Sequence, residues 1–317
     1  MLEIPSYLDV YLKSNALNRL KNIDMNCGVN YTNLPLFSDI DPYTRYDHSL
    51  RVACIIDYFT HDKKQVLSGL FHDIATPAFS HTIDFMNGDY LYQESTESYT
   101  KELIRNDPII SEQLLKEQIS IDEVYDYHIY PVADNDSPKL SADRLEYTLS
   151  NSLNYGFSTK QELSDIFDDI IIGKNEYYED EMMFLHQGQA ERFAELALRC
   201  GKVYSSKEDR FAMEMLSDII KEYIDEEILK YSDLYTDEIY VINKIKNYDS
   251  WIKYTKLSSV DYAEDGIIIH AKKRYIDPFV LGLGRISQFS DKMNSEIESF
   301  LNESQDERLI GVYENGR

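Results

Sequence analysis

The sequence predicts a mainly helical protein, an all-α bundle with a small α+β C-terminal part, on three observations. Before residue 235, apolar residues recur in most segments at the three- and four-residue spacing of an amphipathic helix. The run there that reads as strand, Ile170–Ile172 before Gly173 and a polar turn, amounts to a small hairpin at most. Beyond residue 236 the texture changes, and GIIIHAKKRYIDPFV (266–280) reads as a short β-branched strand, a basic patch and an aspartyl-proline turn. We therefore place a helical domain at 1–235 and a small α+β subdomain at 236–317.

In chain order, a short helix is predicted around Leu8–Leu20, followed by irregular chain through Gly28, Pro35 and Asp39. From Asp47 the positions Val52, Ile55, Ile56 and Phe59 form one helical stripe, and His48, four residues before Val52, points toward it. Arg45 lies at or just before that helix's start, where a cation opposes the helix dipole, so it has another partner or is simply solvated. The next helix buries Val66, Leu67, Leu70, Phe71 and Ile74 and carries the His72-Asp73 pair. Pro77 breaks it, and His81 and Asp84 follow. Adjacent side chains on a helix diverge by about 100°, so His72 and Asp73 converge on one ion only if the helix end turns toward it.

Thr96–Arg105 and Ile109–Ile119 are helix-like, and a tyrosine-rich acidic segment runs to Pro138. On the helix Leu140–Leu153, Asp143, Tyr147 and Asn151 share one face at i, i+4 and i+8. A solvated face is the ordinary reading of such a set, and Arg144 and Glu146 suit it equally. Ser158 with Gln161, or Thr159 with Glu162, caps the next helix. Gln187–Tyr204 and Lys207–Lys230 are long amphipathic helices. Lys272, Lys273 and Arg274 form either a solubilising edge strand or an anion contact. The last residues, NESQDERLIGVYENGR, read as frayed.

A formal net charge of −25 argues against a duplex-binding surface, because phosphate contact needs clustered Lys and Arg. A small anionic substrate remains compatible if a bound cation and local basic residues reverse the potential in one cleft. Cys27, Cys54 and Cys200 have no metal spacing and no even count, which fits a reducing cytoplasm. The N-terminal MLEIPSYLDVYLKS lacks the pattern of a signal peptide, and no apolar run approaches a membrane span. The expectation is a soluble cytoplasmic protein with no membrane partner.

His48, His72, Asp73 and Asp143, placed toward buried faces of different helices, make a mixed N/O donor set. Such a set suits Mn, Mg, Fe, Co or Ni, whereas structural zinc more often takes thiolates. Four protein donors leave two octahedral positions for water and a substrate oxygen. NALNRLKNIDMNCGVNY (15–31), YTRYDHSLRVA (43–53), LFHDIATPAFSHTID (70–84) and SADRLEY (141–147) together resemble the HD-domain superfamily of metal-dependent phosphohydrolases, most closely its deoxynucleoside triphosphate triphosphohydrolase branch. KKRYIDPFV (272–280) is similar to a basic segment in that branch's C-terminal part.

That resemblance implies metal ligation by His48, His72, Asp73 and Asp143, and phosphate contact by Arg45 and by Arg144 with Tyr147. It also implies that His81 and Asp84 line the phosphate side of the pocket. The implied fold is an all-α bundle with a small α+β C-terminal part. The implied reaction is hydrolysis of a phosphate ester or anhydride, of a nucleotide, by a metal-activated water. Asp73 would orient that water and His81 would protonate the leaving oxygen. Relatives of this kind commonly form homo-oligomers, and the long helices after residue 187 could supply the interface.

The chain departs from the branch at two places. Thr76 stands where the triphosphohydrolases carry a histidine, and Gln93-Glu94 stands in place of a His-Glu pair. Neither Thr nor Gln exchanges a proton near neutral pH. Two alternatives follow: a nucleotide sensor that keeps the pocket without turnover, and an HD-fold di-iron oxygenase. The latter needs additional histidines before Asp143, for which only His81 and His128 are available.

Overall fold

The computed structural model describes residues 2–38, 40–91 and 99–314. Its main helices are α1 (Arg45–Thr60), α2 (Lys63–Phe71), α3 (Thr82–Met86), α4 (Thr100–Asn106), α5 (Pro108–Lys116) and α6 (Ala142–Asn154). They continue with α7 (Lys160–Asp168), α8 (Gln187–Tyr204), α9 (Lys207–Asp225), α10 (Glu238–Ile245), α11 (Asp249–Tyr254) and α12 (Asp291–Asn302). The strands are β1 (Ile170–Lys174), β2 (Asp180–Phe184), β3 (Leu257–Ile268), β4 (Phe279–Val280), β5 (Gly284–Arg285) and β6 (Arg308–Tyr313). One sheet has the order β1-β2-β4-β5, with β2 and β4 parallel, and β3 pairs antiparallel with β6 in a second. The fold is thus mainly helical with small sheets, as the sequence patterning predicts.

Three local expectations are corrected. The single helix around Leu8–Leu20 is instead a chain of short turns, because Ser14 is extended and its side chain caps a new turn by accepting the Leu17 N–H at 3.3 Å. The strand placed within 266–280 begins earlier, at Leu257, and residues 269–278 are not strand. The C-terminal segment is not frayed through Tyr313. It forms β6, which buries Leu309 against the second core and pairs with β3, a partner some fifty residues away that no local pattern reveals.

Two hydrophobic cores flank the centre. The first joins Leu20, Val52, Ile56, Phe71, Leu145 and Phe193 to Phe300 of α12. The second joins Phe79, Ile83, Leu216, Ile220, Trp251 and Leu309. Both draw residues from each side of residue 235. The basic segment after β3 reaches the centre by passing against α8 at Gly201, where a Cβ would collide with the Arg274 carbonyl oxygen.

Glu238 ties the later chain to the middle of the molecule. It is 1% exposed, and its Oε1 accepts the N–H groups of Asp24 at 3.1 Å and Phe79 at 3.2 Å. Its Oε2 accepts the Tyr31 hydroxyl at 2.6 Å. Burial pushes its pKa up to about 8 against the opposing Tyr31 bond, from an ordinary value of 4.5. Because the folded value is the higher, the stability linked to this proton is complete below the ordinary value and is lost as the pH rises toward about 8. Chemical denaturation of the native protein is therefore expected to show falling stability between about pH 5 and 8. Glu238→Gln, which keeps an acceptor for the two N–H groups, is expected to flatten that slope. An unchanged slope would remove Glu238 as its cause.

Candidate metal centre

The site assembles where α1, α2, the loop after α2 and the start of α6 meet. Thr44 and Asp47 form a capping box at the start of α1: the Thr44 side chain accepts the Asp47 N–H at 3.2 Å and Asp47 accepts the Thr44 N–H at 3.2 Å. This cap places Arg45 at the first helical position and His48 one turn later. Helix α2 ends at Phe71, so His72 and Asp73 lie at its C-terminal end and in the following turn. The helix end needed for adjacent side chains to converge is therefore present.

After Pro77, Phe79 and Ser80 take left-handed φ values of 65° and 48°. These are costly for residues other than glycine and persist only where the surroundings enforce them. Here Ala78 N–H donates to the Leu234 carbonyl at 2.7 Å, Phe79 N–H to Glu238, and Ser80 Oγ accepts Arg45 Nε at 3.1 Å. Ser141 caps α6 by accepting the Arg144 N–H at 3.3 Å and so places Asp143 in its first turn.

Four donor atoms converge. His48 Nε2 lies 3.1 Å from His72 Nε2, 2.9 Å from Asp143 Oδ1 and 3.9 Å from Asp73 Oδ2. His72 Nε2 lies 3.5 Å from Asp73 Oδ2 and 3.7 Å from Asp143 Oδ1. Bond lengths of roughly 2.1 Å place adjacent donors about 3.0 Å apart at right angles and about 3.4 Å apart at the tetrahedral angle. The spacings bracket those values, and two imidazoles with a carboxylate match borderline and hard divalent ions, so His48, His72 and Asp73 fit a divalent metal ion, with Asp143 beside both histidines. His48, His72 and Asp73 alone already form a ligand-spaced cluster.

The groups behind the donors fix their orientation. His72 Nδ1 donates to the Gly69 carbonyl at 2.6 Å and His48 Nδ1 donates to Glu146 Oε2 at 2.5 Å, so each ring turns Nε2 inward. Glu146 is buried and also accepts from the Tyr43 hydroxyl and, at 2.6 Å, from Ser150 Oγ. Burial disfavours a charged His48, but its bonds to Asp143 and Glu146 prevail and raise its pKa to about 10. A proton and a metal ion thus compete for the same Nε2.

Asp73 is also buried, yet Arg45 at 3.0 Å, with help from the two histidines, holds its carboxyl well below the usual range. This pairing is the partner that Arg45's position in the sequence requires. Glu146→Gln removes the charge behind His48 while keeping an acceptor. Metal affinity, measured by titration of the purified protein, is expected to fall about 10- to 100-fold. Unaltered affinity would remove Glu146 from the site.

A cavity of about 490 Å³ opens beside the cluster. His48, His72, Asp73, Asp143, Arg45, His81, Arg144 and Tyr147 all line it. Asp84 is fully buried behind that wall, and its Oδ2 is bonded by Nδ1 of His81, which lines the cavity, at 2.9 Å. Arg144 lines the wall while bonded to Asp134 at 3.0 Å and to the Asn135 side chain at 2.8 Å.

Asp143, Tyr147 and Asn151 face this cavity and not bulk solvent. Thr76 is absent from the lining and donates instead to Asp73 Oδ1 at 2.9 Å, so it orients a ligand. Gln93 and Glu94 lie outside the described residues. His128, also on the wall, bonds Asp126 at 3.1 Å, and among the described residues it joins no metal-spaced cluster.

Sequence reasoning missed Glu146, Tyr43, Asp134 and Ser80. Glu146 is readable as a helix neighbour of Asp143, but nothing local distinguishes a buried carboxylate from a solvated one. The basic segment divides: Lys272 and Arg274 line the cavity, whereas Lys273 donates to the Phe300 and Leu301 carbonyls at 2.8 and 2.9 Å near the end of α12.

Residues 45–134 match the HD domain family. The uncharacterized protein YdhJ of Bacillus subtilis is 26% identical over 189 residues, covering 56% of this chain and 53% of its own length. The metal-dependent phosphohydrolase cns2 of Cordyceps militaris is 26% identical over 149 residues, 46% of this chain and 40% of that protein. The chain thus spans about half the length, or less, of these curated relatives. A hypothetical protein from Aquifex aeolicus of known structure superposes with a TM-score of 0.55 at 18% identity, over 80% of this chain and 73% of that one, which shows a shared fold. No helix among the described residues is long and apolar enough to cross a membrane.

Proposed function

We propose, given that the chain belongs to the HD-domain superfamily, that it is a metal-dependent phosphohydrolase acting on a small phosphate ester or anhydride, in particular of a nucleotide. One observation carries this reading. In a chain of net charge −25, the His48, His72 and Asp73 cluster and Asp143 share a cavity wall with Arg45, Arg144, Lys272 and Arg274. The name of the fungal relative, a metal-dependent phosphohydrolase, supports it.

His48, His72, Asp73 and Asp143 would hold a divalent ion, which would supply Lewis-acid polarisation of the phosphoryl group and a more acidic water. Arg45 fixes Asp73 and presents cationic charge to the phosphate oxygens. Arg144, anchored by Asp134, adds a second cation from the α6 side. His81 keeps its Nδ1 proton on Asp84, which leaves Nε2 to exchange a proton with the leaving oxygen. Burial, together with Arg45 and Arg274, lowers the His81 pKa against the Asp84 bond. A bound phosphate offsets those cations and favours the protonated ring, so the acid forms when substrate is present. Asp84 acts through His81 as a positioning residue.

The test is phosphate release from nucleoside mono-, di- and triphosphates with Mn, Mg, Co and Ni supplied in turn. Release that requires a metal supports the reading. Tight nucleotide binding with no release under any metal would overturn it in favour of a sensor.

A further inference from the structure

The end of the cavity beside α9 holds a polar group without an evident structural purpose. Asp209 is 8% exposed and lines the same cavity as the metal donors. Ser206-x-x-Asp209 has the spacing of a capping box, and Ser206 Oγ does accept the Asp209 N–H at 3.2 Å. The reciprocal bond is not made, because the Ser206 N–H donates to the Val203 carbonyl at 3.0 Å. Among the described residues no donor or acceptor bonds the Asp209 carboxyl.

Its neighbours do not compensate it. The adjacent cation, Arg210, donates to the carbonyls of Ile269 and Gln305. Tyr155 bonds Asn26 at 3.3 Å, and Tyr204 accepts from Asn151 at 2.7 Å, so other polar groups on this wall are satisfied. A carboxyl that is largely removed from solvent, bonded by no group among the described residues and open to a cavity is placed to meet a ligand there. The surrounding Tyr147, Tyr155 and Tyr204 supply flat aromatic surface for a ring.

We propose that Asp209 binds the base of a nucleotide substrate, pairing with its hydrogen-bonding edge, and is a specificity-determining residue of this chain. The assignment rests on the phosphohydrolase reading for the phosphate end of the same cavity. Burial, opposed by Arg210, raises the Asp209 pKa well above the carboxylate range, so the group meets its ligand as a neutral acid despite its place in the first turn of α9. A neutral carboxyl offers one donor and one acceptor side by side and can carry its proton on either oxygen. It therefore matches the N–H and C=O edge of guanine and thymine as well as the NH₂ and ring-nitrogen edge of adenine and cytosine. The expected substrate range is nucleotides of all bases, with bases blocked on that edge rejected.

The experiment compares each of the four common nucleotides with edge-methylated counterparts, N6,N6-dimethyladenine and N3-methylthymine nucleotides, in both equilibrium binding and phosphate release. In the native protein the common bases are expected to agree within about tenfold, and edge methylation to cost about 10²-fold in kcat/KM. Asp209→Leu is expected to bring the unmodified-to-methylated ratio close to one. Asp209→Asn, which also presents one donor and one acceptor, is expected to keep it.

A ratio unaffected in Asp209→Leu, a ratio lost in Asp209→Asn, or a strong preference for guanine alone would each overturn the inference. Metal content and circular dichroism confirm that each variant is folded, and Asp209→Ala, with the same expected loss of the ratio, takes the place of the Leu variant if that one is not. Should binding show the Asp209-dependent ratio without phosphate release, the hydrolase reading fails while the base contact stands. Release without that ratio overturns the base contact and leaves the hydrolase reading standing, and neither binding nor release overturns both.

Discussion

Asp143→Ala is expected to abolish metal retention after purification and to lower kcat/KM by roughly 10³-fold, since the metal's Lewis-acid contribution is worth several kcal/mol. The carboxylate sits 2.9 Å from His48 Nε2 and 3.7 Å from His72 Nε2, which is why we propose it as the fourth donor, from the α6 side. Burial opposes its charge, but the bond to His48 and the two imidazoles keep its pKa below the usual range, and it remains a charged donor at any working pH. Its removal leaves three donors on the α1 and α2 side alone. The fold is expected to survive, because Asp143 is on a cavity wall and the α6 cap rests on Ser141. Metal analysis and turnover on the same preparation check both effects. Retained metal at wild-type stoichiometry would refute the four-donor site.

Arg45→Met is expected to produce the largest loss of stability. Arg45 and Asp73 are both largely buried, and the pair stands 3.0 Å apart. Removing one partner of such a pair leaves an uncompensated charge, at a cost of about 3–5 kcal/mol. In thermal unfolding this corresponds to a drop of roughly 5–10 °C for a chain of this size. A divalent ion also compensates Asp73, so the drop is expected to be larger in chelator than in excess Mn or Mg. Equal drops under the two conditions would show that Asp73 does not face the ion. Activity is expected to fall as well, because the same guanidinium faces the phosphate end of the cavity.

The sequence by itself determined the helical class and the oddity of a cation at the start of α1, and its resemblance to the HD-domain superfamily singled out His48, His72, Asp73 and Asp143 as candidate ligands. These were legible because each is a local matter: a 3.6-residue stripe, a His-Asp pair before a proline, a charge against a helix dipole. Asp143, Tyr147 and Asn151 were legible as a shared face, but which side of the helix met solvent was not. That depends on α1 lying against α6, a contact between residues about a hundred positions apart.

Only the tertiary structure decided the supporting shell. It buried Glu146 behind His48, turned Thr76 onto Asp73, withdrew Asp84 behind His81, and brought Lys272 and Arg274 but not Lys273 into the cavity. It also paired β6 with β3, where the sequence pattern suggested a frayed end. A carboxylate in a helix reads the same whether water or a buried imidazole receives it. The difference arises only when distant segments exclude the water, and that is a property of packing across the whole chain.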